Sequence, residues 1–215
     1  ESQWKMETRE EESKLQCLEH VVNEYGQPIG TPLAVPWKPP VVPSRVRLVG
    51  RTCVLEPFDA STHSNSIHSA YTRDTGDVTA EEYRRLWTYL SYGPFEDAKQ
   101  YQSQMESFKH EEGADPMFWS VVDLSSDRAL GVASYLRISP LLGSIEIGHL
   151  CFSPMLQRST LATEAIFLLI RHAFDLGYRR VEWKCDALNA NSVRAAKRFG
   201  FKFEGVFRNH LTYKG

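Results

Sequence analysis

The stretch from Ser144 to Gly205 constrains the fold most, because its residue pattern alternates between strand and helix. Apolar residues recur at helical spacing from Thr163 to Leu176, and Gly177 is placed to end that helix. The pattern predicts, in order, a strand Ser144–Phe152, a tight loop Gln157–Thr163, a helix Thr163–Leu176, a strand Arg180–Cys185, a helix Asn191–Phe199 and a strand Phe201–Leu211. A strand, a crossover helix and a second strand imply a parallel pair.

The strands expected just before this stretch run the other way. Phe118–Asp123, Ala129–Ser139 and Ser144–Phe152 are joined by short turns, which favours an antiparallel meander. The sheet is therefore predicted to change from antiparallel to parallel at Ser144–Phe152, and a ligand is expected at that change. The Gln157–Thr163 loop lies there, where a helix start offers unpaired N–H groups to a phosphate.

Composition narrows the class of protein. The 215 residues are 42% hydrophobic and 24% charged, as in ordinary soluble globular proteins. A formal net charge of −2 argues against electrostatic binding of nucleic acid by the chain as a whole, so no nucleic-acid partner is expected. Residues 157–202 carry nine basic against four acidic side chains. That excess suits a small polyanionic ligand and, equally, a solvated helix face.

Cysteine usage and hydropathy indicate the cellular compartment. None of the four cysteines forms a CxxC pair, which argues for a reducing compartment and against a metal site. No apolar run approaches membrane-spanning length, and no signal peptide is visible. We therefore expect a cytoplasmic protein without a membrane partner, either a monomer or a homodimer.

The proline content predicts two regions. Residues 1–44 are first acidic and then proline-rich, with six of the eleven prolines between residues 26 and 44. Proline restricts its own backbone and that of the preceding residue, so this part is expected to be an extended N-terminal extension. Residues 45–215 are expected to form the compact domain.

Several motifs in the second half occur in a recognisable order: Ile145-Glu-Ile-Gly-His, Gln157-Arg-x-x-x-Ala-Thr-Glu-Ala, Asn189-x-x-Ser and Arg198-Phe-Gly-Phe. This ordered set resembles the GNAT acetyltransferases, and in particular the branch that includes the ribosomal-protein N-terminal acetyltransferases. The resemblance implies an α+β, three-layer fold with a mixed central sheet and helices on both faces. It also implies acetyl-CoA as the acetyl donor and an amine as the acceptor.

The resemblance also implies the cofactor contacts. Two strands would splay apart, and the pantetheine arm would pair with the first of them at Leu150, Cys151 and Phe152. The pyrophosphate would lie on Gln157, Arg158, Ser159, Thr160, Leu161, Ala162 and Thr163, and Asn189 would contact pantetheine. The family usually has glycine where this chain has Thr160. A branched residue there is expected to restrict the loop, whereas Arg158 and the hydroxyl groups would add donors.

Two residues, Glu146 and Ser192, are candidates for catalysis. Glu146 lies in an otherwise apolar strand, where burial would raise its pKa and suit a general base; the alternative is a glutamate that faces solvent. His149, three residues on, is expected on the opposite face of the sheet. By resemblance Ser192 would hydrogen-bond the CoA sulfur. Asn189 and Ser192 are also preferred N-cap residues, and both roles can hold together.

Three functions remain open from the sequence. The first is an acetyl-CoA-dependent N-acetyltransferase that works by direct attack on a primary amine, of a small molecule or a peptide N-terminus. The second is an acyl-CoA-binding module without turnover. Two features would favour it: Thr160 in place of the family's glycine, and the lack of the family's last strand in residues 45–215. The third, a dinucleotide-binding domain, is disfavoured because GxGxxG is absent.

Overall fold

The computed structural model describes residues 20–33, 35–72, 78–212 and Lys214. The acidic part of the predicted extension, residues 1–19, lies outside these residues. The chain divides into two units, Glu1–Lys38 and Pro39–Gly215. The boundary predicted after residue 44 stays a prediction.

The described part of the first unit contains a β-hairpin. Strands β1 (His20–Val22) and β2 (Pro28–Gly30) pair antiparallel. The side-chain oxygen of Asn23 accepts the backbone N–H groups of Tyr25 and Gln27 at 3.0 and 2.9 Å, which closes the turn.

The second unit is built on one mixed sheet. Its strands are β3 (Leu48–Val49), β4 (Cys53–Pro57), β5 (Met117–Asp123), β6 (Arg128–Ser139), β7 (Ser144–Phe152) and β8 (Arg180–Glu182). They lie side by side in chain order; neighbours are antiparallel except β7 and β8, which are parallel. The helices are α1 (Ala60–Thr72), α2 (Ala80–Arg85), α3 (Ala98–Glu106), α4 (Thr160–Asp175) and α5 (Ala190–Arg198).

Helices cover both faces of the sheet. On the α4 face, Ile145 and Ile147 are buried in one cluster with Leu169 of α4. On the other face, called the α1/α3 face, Phe118 and Val132 are buried with side chains of α1 and α3, such as Tyr71 and Tyr101. The α+β prediction of a mixed sheet between two helical layers is confirmed.

A β-bulge in β7 overturns one prediction. Gly148 pairs with Ser134 and Cys151 with Val132, so two residues of β7 oppose one of β6. His149 takes a left-handed φ of 49° there. Its ring stacks on Tyr92 on the α1/α3 face, the same face as Glu146. The prediction of opposite faces was wrong, because alternation along a sequence does not reveal an inserted residue.

The C-terminal part also differs from expectation. The strand predicted from Arg180 to Cys185 ends at Glu182, and the strand predicted from Phe201 to Leu211 is absent from the described residues. There Phe203 and Phe207 are 73% and 66% exposed. An alternating pattern forms a strand only where a neighbour accepts its backbone hydrogen bonds, and no described strand pairs with this segment.

A carboxylate fixes the start of α4 to the turn between β3 and β4. Glu164 accepts the backbone N–H groups of Arg51, Thr52 and Cys53 at 2.7, 2.7 and 3.1 Å. Burial by itself would raise the pKa of Glu164, but these hydrogen bonds lower it to about 2. A Cβ on Gly50 would lie 2.5 Å from the Glu164 carboxyl carbon, so this close approach needs glycine.

We expect Glu164→Gln to lower the free energy of unfolding by about 1–2 kcal/mol at pH 7, because an amide has only one acceptor oxygen. The pKa of Glu164 is lowered on folding, so its contribution is present above its ordinary pKa of 4.5 and is lost as pH falls toward about 2. Urea unfolding of both proteins from pH 7 to pH 2 measures this difference.

Asp175→Asn is the matched control, because this carboxylate on the same helix pairs with Arg171 at the surface, where an ion pair contributes little. The account would be contradicted if Glu164→Gln lowered the free energy of unfolding no more than the control does, or if its effect persisted at pH 2.

Candidate active site

The predicted phosphate loop has a different backbone from the one expected. Helix α4 begins at Thr160, and the Ser159 hydroxyl oxygen caps it by accepting the N–H of Ala162 at 3.0 Å. Thr160 is thus the first helical residue, where a branched side chain needs no left-handed backbone. The left-handed residue is Arg158, with a φ of 58°. Glycine at position 160 is not required by this geometry.

Three N–H groups at this helix start are available to a ligand. The N–H groups of Gln157 and Thr163 are bound to the carbonyls of Ser153 and Ser159. Those of Arg158, Thr160 and Leu161 find no acceptor among the described residues. They lie at the positively polarised end of α4, where an anion is stabilised.

Most polar side chains of the loop support its shape. The Ser159 hydroxyl donates to the Leu156 carbonyl at 2.6 Å, and the Thr163 hydroxyl donates to the Ser159 carbonyl at 3.1 Å. The Gln157 amide donates to the Phe152 carbonyl at 2.9 Å. Arg198 of α5 donates to the Thr163 hydroxyl oxygen at 3.1 Å, which brings its guanidinium to the first turn of α4, and Arg158 is exposed. Ala162 is buried beneath the loop.

Strands β7 and β8 part just before this loop. Their last pair is Glu146 with Glu182, and beyond it the edge of β7 facing away from β6 has no strand partner in the part of the chain described. Along this edge Leu150 and Phe152 pack on the α4 face, whereas Cys151 is buried on the α1/α3 face. The carbonyl of Cys151 accepts the Tyr71 hydroxyl at 2.9 Å. We call the gap between Ile147–Phe152 and residues 183–188 the parting.

Glu146 lies at the closed end of the parting. Its side chain is 2% exposed and accepts Nε and Nη2 of Arg137 at 2.7 and 2.8 Å, and Nζ of Lys184 at 2.8 Å. Lys184 also pairs with Glu182, so the network crosses from β7 to the end of β8. Hydrogen bonding to Glu146 raises the pKa of Arg137. The interpretation of Glu146 as a solvent-facing residue was wrong; its role as a base stays a prediction.

His149 lies on the same face as Glu146. Its ring stacks on Tyr92 with 5.7 Å between ring centroids, and its Nδ1 is 3.2 Å from the Tyr92 hydroxyl. Burial, with Arg137 nearby, lowers the pKa of His149 below its ordinary value. The neutral imidazole is therefore favoured at neutral pH.

The Asn-x-x-Ser motif starts α5. The Asn189 side-chain oxygen caps the helix by accepting the N–H of Ser192 at 3.1 Å, and the Ser192 hydroxyl oxygen accepts the indole N–H of Trp183 at 2.9 Å. Trp183 packs on the α4 face, whereas Lys184, the next residue, reaches Glu146 on the α1/α3 face. Ser192 and Glu146 therefore lie on opposite faces of the sheet at the parting.

Sequence reasoning missed Arg137, Trp183 and Lys184 as parts of this site. Two basic residues at the ends of apolar strands were the available signal for the ion pairs with Glu146. Nothing in the local pattern indicates the contact between Trp183 and Ser192.

A metal centre and a membrane-spanning helix are absent from the described residues. These residues contain no group of three or more His, Cys, Asp or Glu side chains suited to a metal ion. Among the helices described, none combines the length and apolar character that a bilayer crossing requires.

Comparison with known proteins agrees with this geometry. The family profile of the acetyltransferase (GNAT) domain matches residues 54–202. A probable acetyltransferase of the GNAT family from Chromobacterium violaceum is 38% identical, with a TM-score of 0.76 over 86% of this chain and 88% of that one. A GCN5-related N-acetyltransferase from Brucella melitensis is 37% identical, with a TM-score of 0.76 over 83% and 77% of the two chains.

A third solved structure shares the fold at lower identity. It is the Salmonella typhimurium acetyl transferase that modifies the N-terminal serine of the 50S ribosomal subunit protein L7/L12, with 17% identity and a TM-score of 0.60 over 79% of this chain and 92% of that one. No match was found among functionally curated proteins. The family profile covers most of the chain, and both nearer relatives exceed 30% identity; the chain belongs to the GNAT acetyltransferase family.

Proposed function

We propose that this protein transfers the acetyl group of acetyl-CoA to a primary amine, of a small molecule or a peptide N-terminus, by direct attack of the amine on the thioester. The observation that carries the proposal is the parting of β7 and β8 directly before the free N-terminus of α4. It brings an edge of β7 that has no strand partner among the described residues next to a helix start with free N–H groups.

The cofactor would enter the parting beside the start of α4. The GNAT family uses acetyl-CoA. The N–H groups of Arg158, Thr160 and Leu161, with the guanidinium groups of Arg158 and Arg198, would hold its pyrophosphate. The edge of β7 from Leu150 to Phe152 has no strand partner among the described residues and would pair with the amide groups of pantetheine, as a further strand would.

The two faces of the sheet at the parting would have different roles in the reaction. The acceptor amine would approach from the α1/α3 face, where Glu146 accepts its proton. A carboxylate offers about four lone-pair positions, and three donors occupy Glu146, so one remains for the amine. The CoA thiolate would leave on the α4 face, where Ser192 donates a hydrogen bond to sulfur.

Direct attack is favoured over a covalent intermediate on Cys151 or Cys53. Burial raises the pKa of Cys151, the cysteine on the edge of β7, to about 12. Burial and Glu164 raise the pKa of Cys53 equally far. Both thiols stay protonated at neutral pH, and the thiolate is the nucleophilic form.

The proposed cofactor site predicts which arginines affect binding. Arg158→Ala and Arg198→Ala should each weaken acetyl-CoA binding about tenfold, a loss of about 1.4 kcal/mol, because each removes a charge beside the pyrophosphate. Calorimetric titration with acetyl-CoA measures this. Arg171→Ala, on the same helix as the loop but near its other end, is the control and should bind normally.

A second set of ligands tests the cofactor class. Thermal stabilisation by acetyl-CoA and CoA, with none by NAD, is expected. Stabilisation by NAD alone, or equal losses in all three arginine variants, would contradict the proposed site.

The proposed base predicts a loss of turnover without a loss of binding. Glu146→Gln should lower kcat by about 10²-fold or more, because a positioned base commonly contributes that much. Thiol release from acetyl-CoA, assayed across a panel of amines and peptides, measures the rate. Acetyl-CoA affinity should stay within about twofold, since Glu146 lies away from the phosphate loop.

Glu182→Gln is the matched control, because Glu182 also pairs with Lys184 but lies one strand away. It should keep most of the activity. Full activity in Glu146→Gln would remove Glu146 as the base, and an equal loss in Glu182→Gln would show that the ion network matters only as structure.

A further inference from the structure

Trp183 connects the end of β8 to helix α5. Its indole N–H donates to the Ser192 hydroxyl oxygen at 2.9 Å. Its ring packs against Phe199 and Phe201, with 6.1 and 5.5 Å between ring centroids. The hydrogen bond to Ser192 therefore sets the direction of the indole N–H, and the two rings pack around it.

The chemistry of the indole decides which way the Ser192 proton points. An indole N–H is only a donor, so the Ser192 oxygen must be the acceptor in this pair. The hydroxyl proton must then point away from Trp183, and no described residue accepts it. Because Asn189 also fixes the backbone N–H of Ser192, the serine is held from two sides with its proton free.

We propose that Trp183 is a positioning residue of acetyl transfer: it holds the Ser192 oxygen so that the hydroxyl proton faces the sulfur of the departing CoA. This inference rests on the function proposed above. A hydroxyl that already accepts a hydrogen bond is a stronger donor, and a fixed one needs no reorganisation during the reaction.

The bond changes balance without further reactants. The amine nitrogen forms a bond to the thioester carbon, the carbon–sulfur bond breaks, and its electron pair stays on sulfur. The proton lost by nitrogen goes to the base. Ser192 donates a hydrogen bond to the thiolate and keeps its own proton, and solvent later protonates the sulfur.

Trp183→Phe tests the positioning role, because it removes the N–H and keeps an aromatic ring against Phe199 and Phe201. We expect kcat to fall about 3- to 10-fold, which corresponds to the loss of one hydrogen bond. The KM for acetyl-CoA should not change, because the thiolate that receives this hydrogen bond forms only as the carbon–sulfur bond breaks. In a Ser192→Ala background the same change should have no further effect on kcat. Phe201→Leu, which alters packing on the same indole, should change kcat by less than about twofold.

Two outcomes would overturn the proposal: an equal kcat loss from Trp183→Phe with and without Ser192, or a loss in Phe201→Leu as large as in Trp183→Phe. The NMR shift of the Trp183 indole proton gives a readout apart from activity. It should move in Ser192→Ala without substrate, and an unmoved resonance would refute the hydrogen bond. A wild-type protein that releases no thiol with any amine would refute the proposed function itself, and the inference with it.

Discussion

The parting of β7 from β8 is the constraint on which the rest of the site depends. The two strands pair only from Ser144 to Glu146, and the bulge at His149 then redirects β7. Backbone N–H and C=O groups need partners, so an unpaired edge inside a sheet is costly unless something else satisfies it. A ligand with amide groups of its own is a suitable partner, and the free start of α4 lies just beyond the same edge.

Ion pairs lie where the parting begins. A buried carboxylate such as Glu146 is destabilising unless cations compensate for its lost hydration. Arg137 supplies one from β6, and Lys184 supplies the other from the chain that leaves β8. The ion pairs thus join both walls at the closed end. Because Trp183 and Lys184 are consecutive and point to opposite faces, the same two residues also hold Ser192 and Glu146 on opposite sides of the sheet.

The sequence predicted the layers of the fold better than the details of the site. Strand Ser144–Phe152 has the predicted bounds, and the meander and crossover helix are as expected, because alternating and helical apolar patterns report which faces are buried. The bulge at His149 and the end of β8 at Glu182 could not be predicted in this way, because both depend on a neighbouring strand. The start of α4 moved to Thr160 because Ser159 is the cap. The pattern did not predict the contacts of Lys184 with Glu146 or of Trp183 with Ser192, which join residues far apart in the chain.

Hydrogen exchange of individual backbone amides, with and without saturating CoA, tests the central claim most directly. The account predicts slower exchange by about tenfold or more at Arg158, Thr160 and Leu161, and protection along the edge of β7 at Leu150–Phe152, with α3 unchanged. Protection confined to α3, or no change at the start of α4 while CoA is bound, would contradict it.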